Sequence, residues 1–379
     1  MAENKKYRIA LVSNNAWSIY NFRLDVVRAM HQLGHEIIVI SPHDEFVGRL
    51  ENEGCLYQPV EFDNRSTNPL NDINLYFRLK RLYRKYRPDL IFHYVAKPNI
   101  YGTIAARRLR IPSIAVVTGL GYAFAKQNWL YYFVKHLYKR SLGKASEVWF
   151  LNREDAQIFK RSGIVDISKI KVLPGEGVNT DFFRPVDKEQ PGEARANFRF
   201  VMACRLLKSK GVGLFAEACL ILKNKGYDFQ ADLLGLHEPH HPDGIASADL
   251  QKWQEAGLIN YLGFVSDVRA ALEQSDCFVF PSYYHEGVPR CLMEAASMEL
   301  PIVTTHNRGC KEVVEEKLTG FLCKTGDPFD LADKMEQLLL MPAADRATMG
   351  RRGRELVISK FDIKKVQQAY IQIINRTLG

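Results

Sequence analysis

Short runs of apolar, mostly β-branched residues alternate with longer helical stretches through the first half of the chain, for example 22–33 and 75–86. Near-continuous apolar runs are typical of parallel strands that are buried on both faces. The predicted strands are Arg8–Ser13, Glu36–Ile40, Asp89–Val95, Ser113–Val117, Glu147–Leu151 and Ile170–Leu173. Repeated β–α–β units of this kind predict a doubly wound, Rossmann-like α/β domain.

The alternation lapses at 183–196, where two prolines, a glycine and dense charge predict a linker. It then restarts with predicted strands at Phe198–Ala203, Phe229–Leu234, Ile259–Leu262, Cys277–Pro281 and Pro301–Thr304. The pattern therefore predicts two α/β domains, at 1–185 and 186–361, and a last helix within 362–379 that packs back on the first domain. Since ligands bind at the carboxyl ends of the strands in such sheets, we expect the two domains to face each other across a cleft.

The composition is that of a soluble globular protein, with 46% apolar and 25% charged residues in 379. No charge-free apolar run reaches the roughly 20 residues that a membrane-spanning helix needs. The first ten residues contain no apolar segment, so we expect no signal peptide. Seven scattered cysteines without a C-x-x-C pair favour free, buried thiols in a reducing cytosol.

The net charge of +9 is concentrated in the first domain. Residues 1–185 hold 28 Lys and Arg against 17 Asp and Glu, and 64–146 alone hold 16 against 2. An excess in one domain indicates a polyanionic partner of that domain. Nucleic acid, an anionic membrane surface and a phosphorylated substrate each fit this distribution.

A helix predicted within this basic stretch, at 129–140, is amphipathic. Leu130, Phe133, Val134 and Leu137 form one apolar face, and Trp, Tyr, Lys and Arg lie at its margins. That composition is typical of a helix at a membrane interface. A helix that faces the protein core, with tyrosines at its edge, explains the pattern equally well.

The segment 281–294 holds the densest set of candidate chemical groups. A strand ends at Pro281, a turn with Gly287 follows, and a helix opens near Pro289, so backbone N–H groups there form an anion site. Glu286 and Glu294 flank this turn, and a carboxylate can accept two hydrogen bonds from a ribose diol. A solvated acidic turn followed by an ordinary helical glutamate remains the alternative.

Basic residues follow the first strand of the second domain. Arg205 is suited to bidentate phosphate binding and Lys210, just before Gly211, to binding as a point charge, so together they predict a diphosphate site. A solvated basic loop is the alternative. The histidine-rich segment 237–243 resembles a metal cluster, but its prolines favour a surface loop. The chain has no D-x-D, no H-E-x-x-H and no G-x-G-x-x-G after its first strand, so we expect neither a metal nor a dinucleotide cofactor.

Taken together, these residues resemble the GT-B glycosyltransferases of family 4, over essentially the whole chain. The E-x7-E pair of Glu286 and Glu294 carries the resemblance most strongly, and Arg205 with Lys210-Gly211 matches the diphosphate site of that family. Further matches are Leu262-Gly263, Asp276, Pro281-Ser282, Gly287, Pro289, Ala295, Pro301-Ile302-Val303, Gly309, Glu312, Gly320, Gly177-Val178-Asn179, Phe183 and Pro185.

The resemblance implies a retaining transferase that takes a sugar from a UDP-sugar without a metal or a covalent nucleophile. Glu286, Arg205 and Lys210 would be its catalytic residues, because positive charge and helix amides replace the metal. The implied donor-binding residues are Glu294, Gly287, Val288, Pro289, Gly263 and Phe264.

Motifs of the first domain narrow the resemblance to the branch that extends saccharides on polyprenyl diphosphate. They are Ser18–Arg23, Lys97–Asn99 and Gly119–Gly121. This branch implies an N-acetylhexosamine such as N-acetylgalactosamine as the sugar, surface polysaccharide or glycoprotein-glycan assembly, and an enzyme on the cytoplasmic face of the cell membrane. Its partners would be a UDP-sugar, the lipid-linked saccharide and an anionic bilayer, but no nucleic acid. The implied acceptor-binding residues are Asn15, Tyr20, Arg23, Lys97, Asn99, Thr118 and Gly119.

Two positions depart from the family pattern. Thr118 stands where many relatives have a histidine, so the role of that histidine is not carried over. Glu299 stands where the helix usually ends in glycine, at a cost of up to about 1 kcal/mol if its φ is positive. The alternatives are a related transferase with a soluble acceptor and a sugar-nucleotide-binding protein without activity. A sugar-nucleotide epimerase is a weaker one, since its histidine and carboxylate pattern is not evident.

Overall fold

The computed structural model describes residues 5–61, 68–120, 129–185, 197–284 and 286–379. Its contacts divide the chain into two compact units. The first unit is Met1–Gly177 with Ile363–Gly379, and the second unit is Val178–Asp362. Each unit contains one parallel β-sheet, and the two sheets have the same pattern of strand order, so the prediction of two doubly wound α/β domains is confirmed.

The sheet of the first unit has seven strands in the order β3-β2-β1-β4-β5-β6-β7. Its strands are β1 (Arg8–Val12), β2 (Glu36–Ser41), β3 (Leu56–Pro59), β4 (Leu90–Tyr94), β5 (Ser113–Val117), β6 (Glu147–Phe150) and β7 (Ile170–Val172). Its helices are α1 (Ala16–Gln32), α2 (Val47–Asn52), α3 (Pro69–Tyr86), α4 (Thr103–Arg108), α5 (Trp129–Leu142), α6 (Arg153–Arg161) and α13 (Ile363–Leu378).

Both faces of this sheet are covered, as the apolar strand composition requires. Alternate residues of each strand point to opposite faces, so Ile9 packs under α1, α2 and α13, whereas Ala10 packs under α3 and α4. Helices α5 and α6 cover the same face as α3, over β5 and β6. The last helix of the chain is therefore part of the core of the first unit.

The sheet of the second unit has six strands in the order β10-β9-β8-β11-β12-β13, around one continuous core. Its strands are β8 (Phe198–Ala203), β9 (Phe229–Leu234), β10 (Asn260–Tyr261), β11 (Cys277–Phe280), β12 (Ile302–Thr305) and β13 (Gly320–Cys323). Its helices are α7 (Val212–Asn224), α8 (Ser247–Glu255), α9 (Arg269–Glu273), α10 (Arg290–Ser297), α11 (Pro328–Leu340) and α12 (Ala343–Phe361).

The sequence pattern missed two strands, and both lie at a sheet edge. β3 contains Tyr57, Gln58 and a proline, which an edge strand tolerates but a central strand does not, and β13 begins at a glycine. The pattern also began the first helix too late, because polar residues before Phe22 hid a helix that starts at Ala16 and is capped by Asn15.

The boundary between the units also differs from the predicted one. Val178 and Phe183 are buried in the core of the second unit, so that unit begins at Val178, eight residues before the predicted start at 186. The segment 186–196 of the predicted linker lies outside the described residues. No helix that the structure describes combines the length and apolar character needed to cross a bilayer.

Glu299 has the positive φ that its position after α10 implied. Its φ is 62°, where glycine would meet no steric penalty. The turn nevertheless forms, because α12 packs closely against it: a Cβ atom on Gly350 would lie 1.9 Å from the Glu299 carbonyl oxygen. Tertiary packing therefore stabilises a local conformation that the residue itself disfavours.

Candidate functional site

The predicted donor residues of the second unit meet at the carboxyl edge of its sheet, where the segments after β8, β10 and β11 begin. Lys210 ends a 3-10 turn after β8, and Gly211 then turns the chain into α7 with a φ of 83°. A side chain at Gly211 could not fit, because its Cβ would lie 2.2 Å from the carbonyl oxygen of Pro281. This close approach brings Lys210 next to the segment after β11.

Lys210 and Glu286 form an ion pair with 2.5 Å between Nζ and Oε1. Ser282 donates a hydrogen bond of 2.8 Å to the same oxygen, whereas none of the described residues donates one to Oε2 of Glu286. The rings of Phe280 and Tyr284 lie 5.9 and 5.6 Å from the ammonium nitrogen. Burial disfavours the charge, but the Glu286 carboxylate outweighs it and raises the pKa of Lys210, so the ammonium stays charged.

Glu294 lies in α10, and its carboxylate accepts a hydrogen bond of 2.8 Å from Nε of Arg290 one turn earlier. Burial raises the pKa of the Glu294 carboxyl above its ordinary value, and Arg290 opposes this shift. A partly buried carboxylate beside a guanidinium can accept hydrogen bonds from hydroxyl groups of a ligand. The i,i+4 spacing of these two residues was visible in the sequence, but the pair was not predicted.

The turn that leads into α10 has the geometry of an anion site. Pro289 is the N-cap of α10, and its side chain offers no acceptor to the N–H groups of the first turn. Val288 is buried in the core of the second unit, so only its backbone can reach a ligand. Gly287 precedes it, whereas His285 lies outside the described residues. The predicted contribution of this segment is therefore restricted to main-chain amides and the positive end of the helix dipole.

Gly263 and Phe264 follow β10 at the same edge of the sheet. Gly263 has a φ of 78°, and its carbonyl accepts a hydrogen bond of 2.9 Å from the amide of Gly235. The Phe264 side chain is 65% exposed, so its ring is available for stacking on a planar ligand.

Arg205 also lies at this edge, but it contacts a residue that the sequence analysis did not pair with it. Its Nε and one terminal nitrogen lie 2.9 and 2.8 Å from Oε2 of Glu238. Glu238 belongs to the histidine-rich segment that resembles a metal cluster but whose prolines favoured a surface loop. No group of three potential metal ligands occurs among the residues that the structure describes. His241 accepts a hydrogen bond from the amide of Asp243, and His237 hydrogen-bonds to the carbonyl of Ile245, just after this loop.

In the first unit, the structure buries two of the predicted acceptor residues. Arg23 is 3% exposed, stacks 4.0 Å from the ring centre of Tyr94 and forms an ion pair with Glu176. Burial opposes its charge, but Glu176 outweighs it and raises the pKa of Arg23. Asn99 is fully buried and donates to the carbonyl of Val116. Both side chains are buried and join neighbouring elements of the first unit, and their contact with an acceptor stays a prediction.

Lys97 is predicted to contact the acceptor, and the structure pairs it with Asp72, at 2.8 Å between Nζ and Oδ1. The segment around it is strained. Val95, a β-branched residue, has a φ of 62°, and a π-helical turn follows at Pro98–Gly102. Strain and π-turns concentrate at functional sites, and this one lies at the carboxyl end of β4.

The remaining predicted acceptor residues lie near the carboxyl edge of the first sheet. Asn15 accepts a hydrogen bond from the amide of Ser18 and is thereby the N-cap of α1. Tyr20 is half-buried against the core. Thr118 and Gly119 follow β5 and are partly exposed, whereas Gly121 of the same motif lies outside the described residues.

The predicted apolar face of α5 is divided in the structure. Val134 and Leu137 pack against the core, as a core-facing helix requires, but Phe133 and the neighbouring Tyr132 are 50% and 59% exposed. The side chain of Leu130 lies outside the described residues. Phe133 therefore does not belong to the buried face, and with Tyr132 it forms an exposed aromatic pair in the first half of the helix.

Two family models match the chain and together span most of it. The "Glycosyl transferase 4-like" model matches residues 8–152, and "Glycosyl transferases group 1" matches residues 183–356, which include the paired cations and carboxylates described above. The chain is a family 4 glycosyltransferase of the GT-B fold.

Individual proteins resemble this glycosyltransferase over most of their length. It is 29% identical, over 98% of its chain and 99% of the other, to the N,N'-diacetylbacillosaminyl-diphospho-undecaprenol α-1,3-N-acetylgalactosaminyltransferase of Campylobacter jejuni. It is 26% identical, over 82% of both chains, to the UDP-Gal:α-D-GlcNAc-diphosphoundecaprenol α-1,3-galactosyltransferase of Escherichia coli. The Anabaena protein HepE, solved with UDP and glucose, superimposes with a TM-score of 0.80 over 98% and 100% of the chains at 20% identity, which shows a common fold.

The sequence analysis of this glycosyltransferase missed residues that act on the predicted ones. Ser282 and Arg290 hydrogen-bond to the two glutamates of the E-x7-E pair, and Glu238 pairs with Arg205. Ser282 and Arg290 lie within the segment 281–294 that the sequence analysis singled out, so their position gave a signal. Glu238 gave none, because 33 residues separate it from its partner along the chain.

Proposed function

We propose that this glycosyltransferase transfers an N-acetylhexosamine from a UDP-sugar to a saccharide carried on polyprenyl diphosphate, with retention of anomeric configuration. The observation that carries the acceptor is the full-length similarity to the Campylobacter enzyme, whose name specifies an undecaprenyl-diphosphate-linked acceptor. The Escherichia coli relative supports both the proposed donor and the proposed acceptor, since its name specifies a UDP-sugar donor and a diphosphoundecaprenol acceptor.

The proposed binding of the UDP-sugar rests on the charged residues at the carboxyl edge of the sheet of the second unit. Arg205 and Lys210 would bind the diphosphate, and the backbone amides at the N-terminus of α10 would share its negative charge. Glu294 would accept hydrogen bonds from the ribose diol. The free Oε2 of Glu286 would accept one from a hydroxyl group of the transferred sugar, while its Oε1 stays bound to Lys210.

In this proposal the residues stabilise the leaving group. Charge develops on the diphosphate as the glycosidic bond breaks, and preorganised cations and amides stabilise such charge in a partly buried site. The acceptor hydroxyl would attack from the same face that the diphosphate leaves, which retains the configuration without a protein nucleophile. No metal ion takes part in this scheme.

The first unit would bind the acceptor and dock on the anionic cytoplasmic face of the cell membrane. Helix α3 carries an exposed apolar stripe at i, i+3 and i+7, formed by Leu70, Ile73 and Phe77, which are 52% to 73% exposed. Arg81 and Arg84 continue this stripe and are exposed. Helix α5, which covers the same face of the sheet, adds Tyr132 and Phe133. Exposed apolar residues bordered by basic ones suit an anionic lipid surface.

The test of the proposed function is a transfer assay on synthetic polyprenyl-diphosphate-linked saccharides with a panel of UDP- and GDP-sugars. We expect one UDP-N-acetylhexosamine to give a lipid-linked product one sugar larger, with an axial anomeric linkage identified by NMR if the donor linkage is axial. Product formed only from GDP-sugars, or only on soluble acceptors, would contradict the proposal.

A chelator tests the metal-free scheme in the same assay. We expect EDTA to leave the transfer rate unchanged, because Arg205, Lys210 and the helix amides supply the positive charge. Loss of activity in EDTA that Mg²⁺ restores would show that the scheme is wrong, while the assignment of donor and acceptor would stand.

A further inference from the structure

The segment 236–244, here called the histidine loop, is firmly attached at its base. The loop begins at the carboxyl end of β9. There, the amide of Leu206 donates a hydrogen bond of 3.0 Å to the carbonyl of Leu236. On the far side, the amide of Ile245 donates one of 3.1 Å to the carbonyl of Leu206. A single residue after β8 thus holds both ends of the loop.

Backbone contacts inside the loop also hold it in one conformation. The amide of His241 donates to the carbonyl of Glu238 at 3.0 Å. A Cβ atom on Gly244 would lie 2.2 Å from that same carbonyl, so only glycine allows the loop to close in this way. The backbone of Glu238 is therefore fixed by contacts that do not involve its carboxylate.

A third attachment joins the loop to the diphosphate-binding segment. The carboxylate of Asp243 accepts hydrogen bonds from the amide and hydroxyl groups of Ser209, and its carbonyl accepts one of 2.7 Å from the amide of Lys208. Ser209 and Lys208 directly precede Lys210. The histidine loop is consequently held against the segment that carries both predicted diphosphate ligands.

From this fixed position, Glu238 places its carboxylate on Arg205. Two guanidinium nitrogens lie 2.9 and 2.8 Å from the same oxygen, and the side chains of Arg205 and Glu238 remain 46% and 33% exposed. This oxygen therefore occupies the N–H donors of Arg205 with which a guanidinium binds phosphate. The pair is accessible to water, so a ligand anion can displace the carboxylate.

We propose that Glu238 is an intramolecular counter-ion that competes with the diphosphate of the nucleotide for Arg205. Glu238 is a positioning residue in this scheme: it holds the guanidinium while the site is empty and takes it back when the nucleotide leaves. The inference rests on the proposed function, in which Arg205 binds the diphosphate. It implies that the enzyme binds UDP less tightly than its cations alone would allow, which favours product release.

The experiment is a calorimetric titration of the full chain with UDP and with uridine, for wild type and four variants. We expect Glu238→Gln to lower the Kd for UDP by about 1.5- to 5-fold, which is the range of an exposed ion pair. Its affinity for uridine, which lacks the diphosphate, should not change. Glu217→Gln is the matched control, because it removes the same charge from an exposed residue of α7.

Arg205→Ala and the double variant complete a cycle. Arg205→Ala should weaken UDP binding, and in that background Glu238→Gln should have no further effect. If Arg205→Ala weakens UDP binding but Glu238→Gln leaves it unchanged or weaker, the counter-ion proposal is wrong and the donor site stands. If Arg205→Ala binds UDP like wild type, both the assignment of Arg205 to the diphosphate site and the counter-ion proposal are wrong.

Discussion

The two units share a strand order but use their charged residues in opposite ways. In the second unit, each cation of the candidate site faces a carboxylate: Lys210 faces Glu286, Arg290 faces Glu294, and Arg205 faces its counter-ion. In the first unit, the exposed basic residues of α3, α4 and α5 form no ion pair with another described residue. They are Arg78, Arg81, Arg84, Lys85, Arg107, Arg108, Lys139 and Arg140.

This difference teaches that net charge and site chemistry are separate properties. The second unit is acidic overall, with 22 Lys and Arg against 27 Asp and Glu, yet its paired charges can exchange a protein carboxylate for a ligand phosphate. The first unit is strongly basic. Two of its paired cations, Arg23 and Lys97, are largely buried, whereas the cations of α3, α4 and α5 named above are exposed. A surface of that kind attracts a polyanion collectively, with little dependence on any one residue.

The largest expected effect tests whether Arg23 belongs to the scaffold. Arg23→Met should lower the free energy of unfolding by about 3–5 kcal/mol, because it leaves the Glu176 carboxylate largely buried without its partner. Calorimetric unfolding measures this, and UDP binding should be unchanged at temperatures where the protein remains folded.

The matched control is Arg28→Met. Arg28 pairs with Glu53, but its side chain is 52% exposed, so its loss should cost less than about 1 kcal/mol. Equal losses in the two variants would break the distinction between buried and exposed pairs in the first unit.

The next effect tests the paired cations of the second unit. Lys210→Ala should lower kcat/KM for the donor by about 10- to 150-fold, since a charge-assisted hydrogen bond to phosphate contributes about 1.5–3 kcal/mol. Steady-state kinetics at several donor concentrations measures the change. Lys208→Ala removes the same charge two residues away from an exposed position and should change kcat/KM less than twofold. Wild-type kinetics in Lys210→Ala would remove Lys210 from the site.

A smaller effect per residue is expected for the basic surface of the first unit. Charge reversal of Lys139 and Arg140 to Glu should weaken sedimentation with anionic liposomes by about 1 kcal/mol or more per residue, and added salt should shrink the difference. The same reversal at Arg351 and Arg352, which are exposed on α12 of the second unit, is the control. If wild type does not bind anionic liposomes at low salt, a soluble acceptor becomes the better interpretation.

The smallest effect concerns a change that touches no ion pair of the candidate site. Glu299→Gly should raise the free energy of unfolding by up to about 1 kcal/mol relative to Glu299→Ala, because only glycine relieves the positive φ. Glu299→Ala removes the carboxylate but keeps the Cβ atom, so the comparison isolates the backbone. A stability of Glu299→Gly equal to or below that of Glu299→Ala would show that packing of α12 has removed the penalty.

Much of the candidate site could be read from spacing along the chain. Glu286, Glu294, Arg205 and Lys210 follow strand ends, and the carboxyl ends of parallel strands meet at one edge of a sheet, so their grouping was predictable. Their partners were predictable only where they lie one turn away on the same helix, as Arg290 does from Glu294. The pairing of Arg205 with Glu238 depends on the path of a loop after another strand.

The sequence by itself determined the α/β class, the two domains and nine of their central strands within a residue or two, because buried parallel strands need continuous apolar runs. Only the tertiary structure decided which cations pair with a carboxylate of the protein itself. Arg23 and Lys97 look like exposed ligands in the sequence, yet each lies against a carboxylate that is distant along the chain, Glu176 and Asp72. Periodicity is a local property of the chain, whereas the cost of burying a charge is offset by whichever group the fold brings beside it.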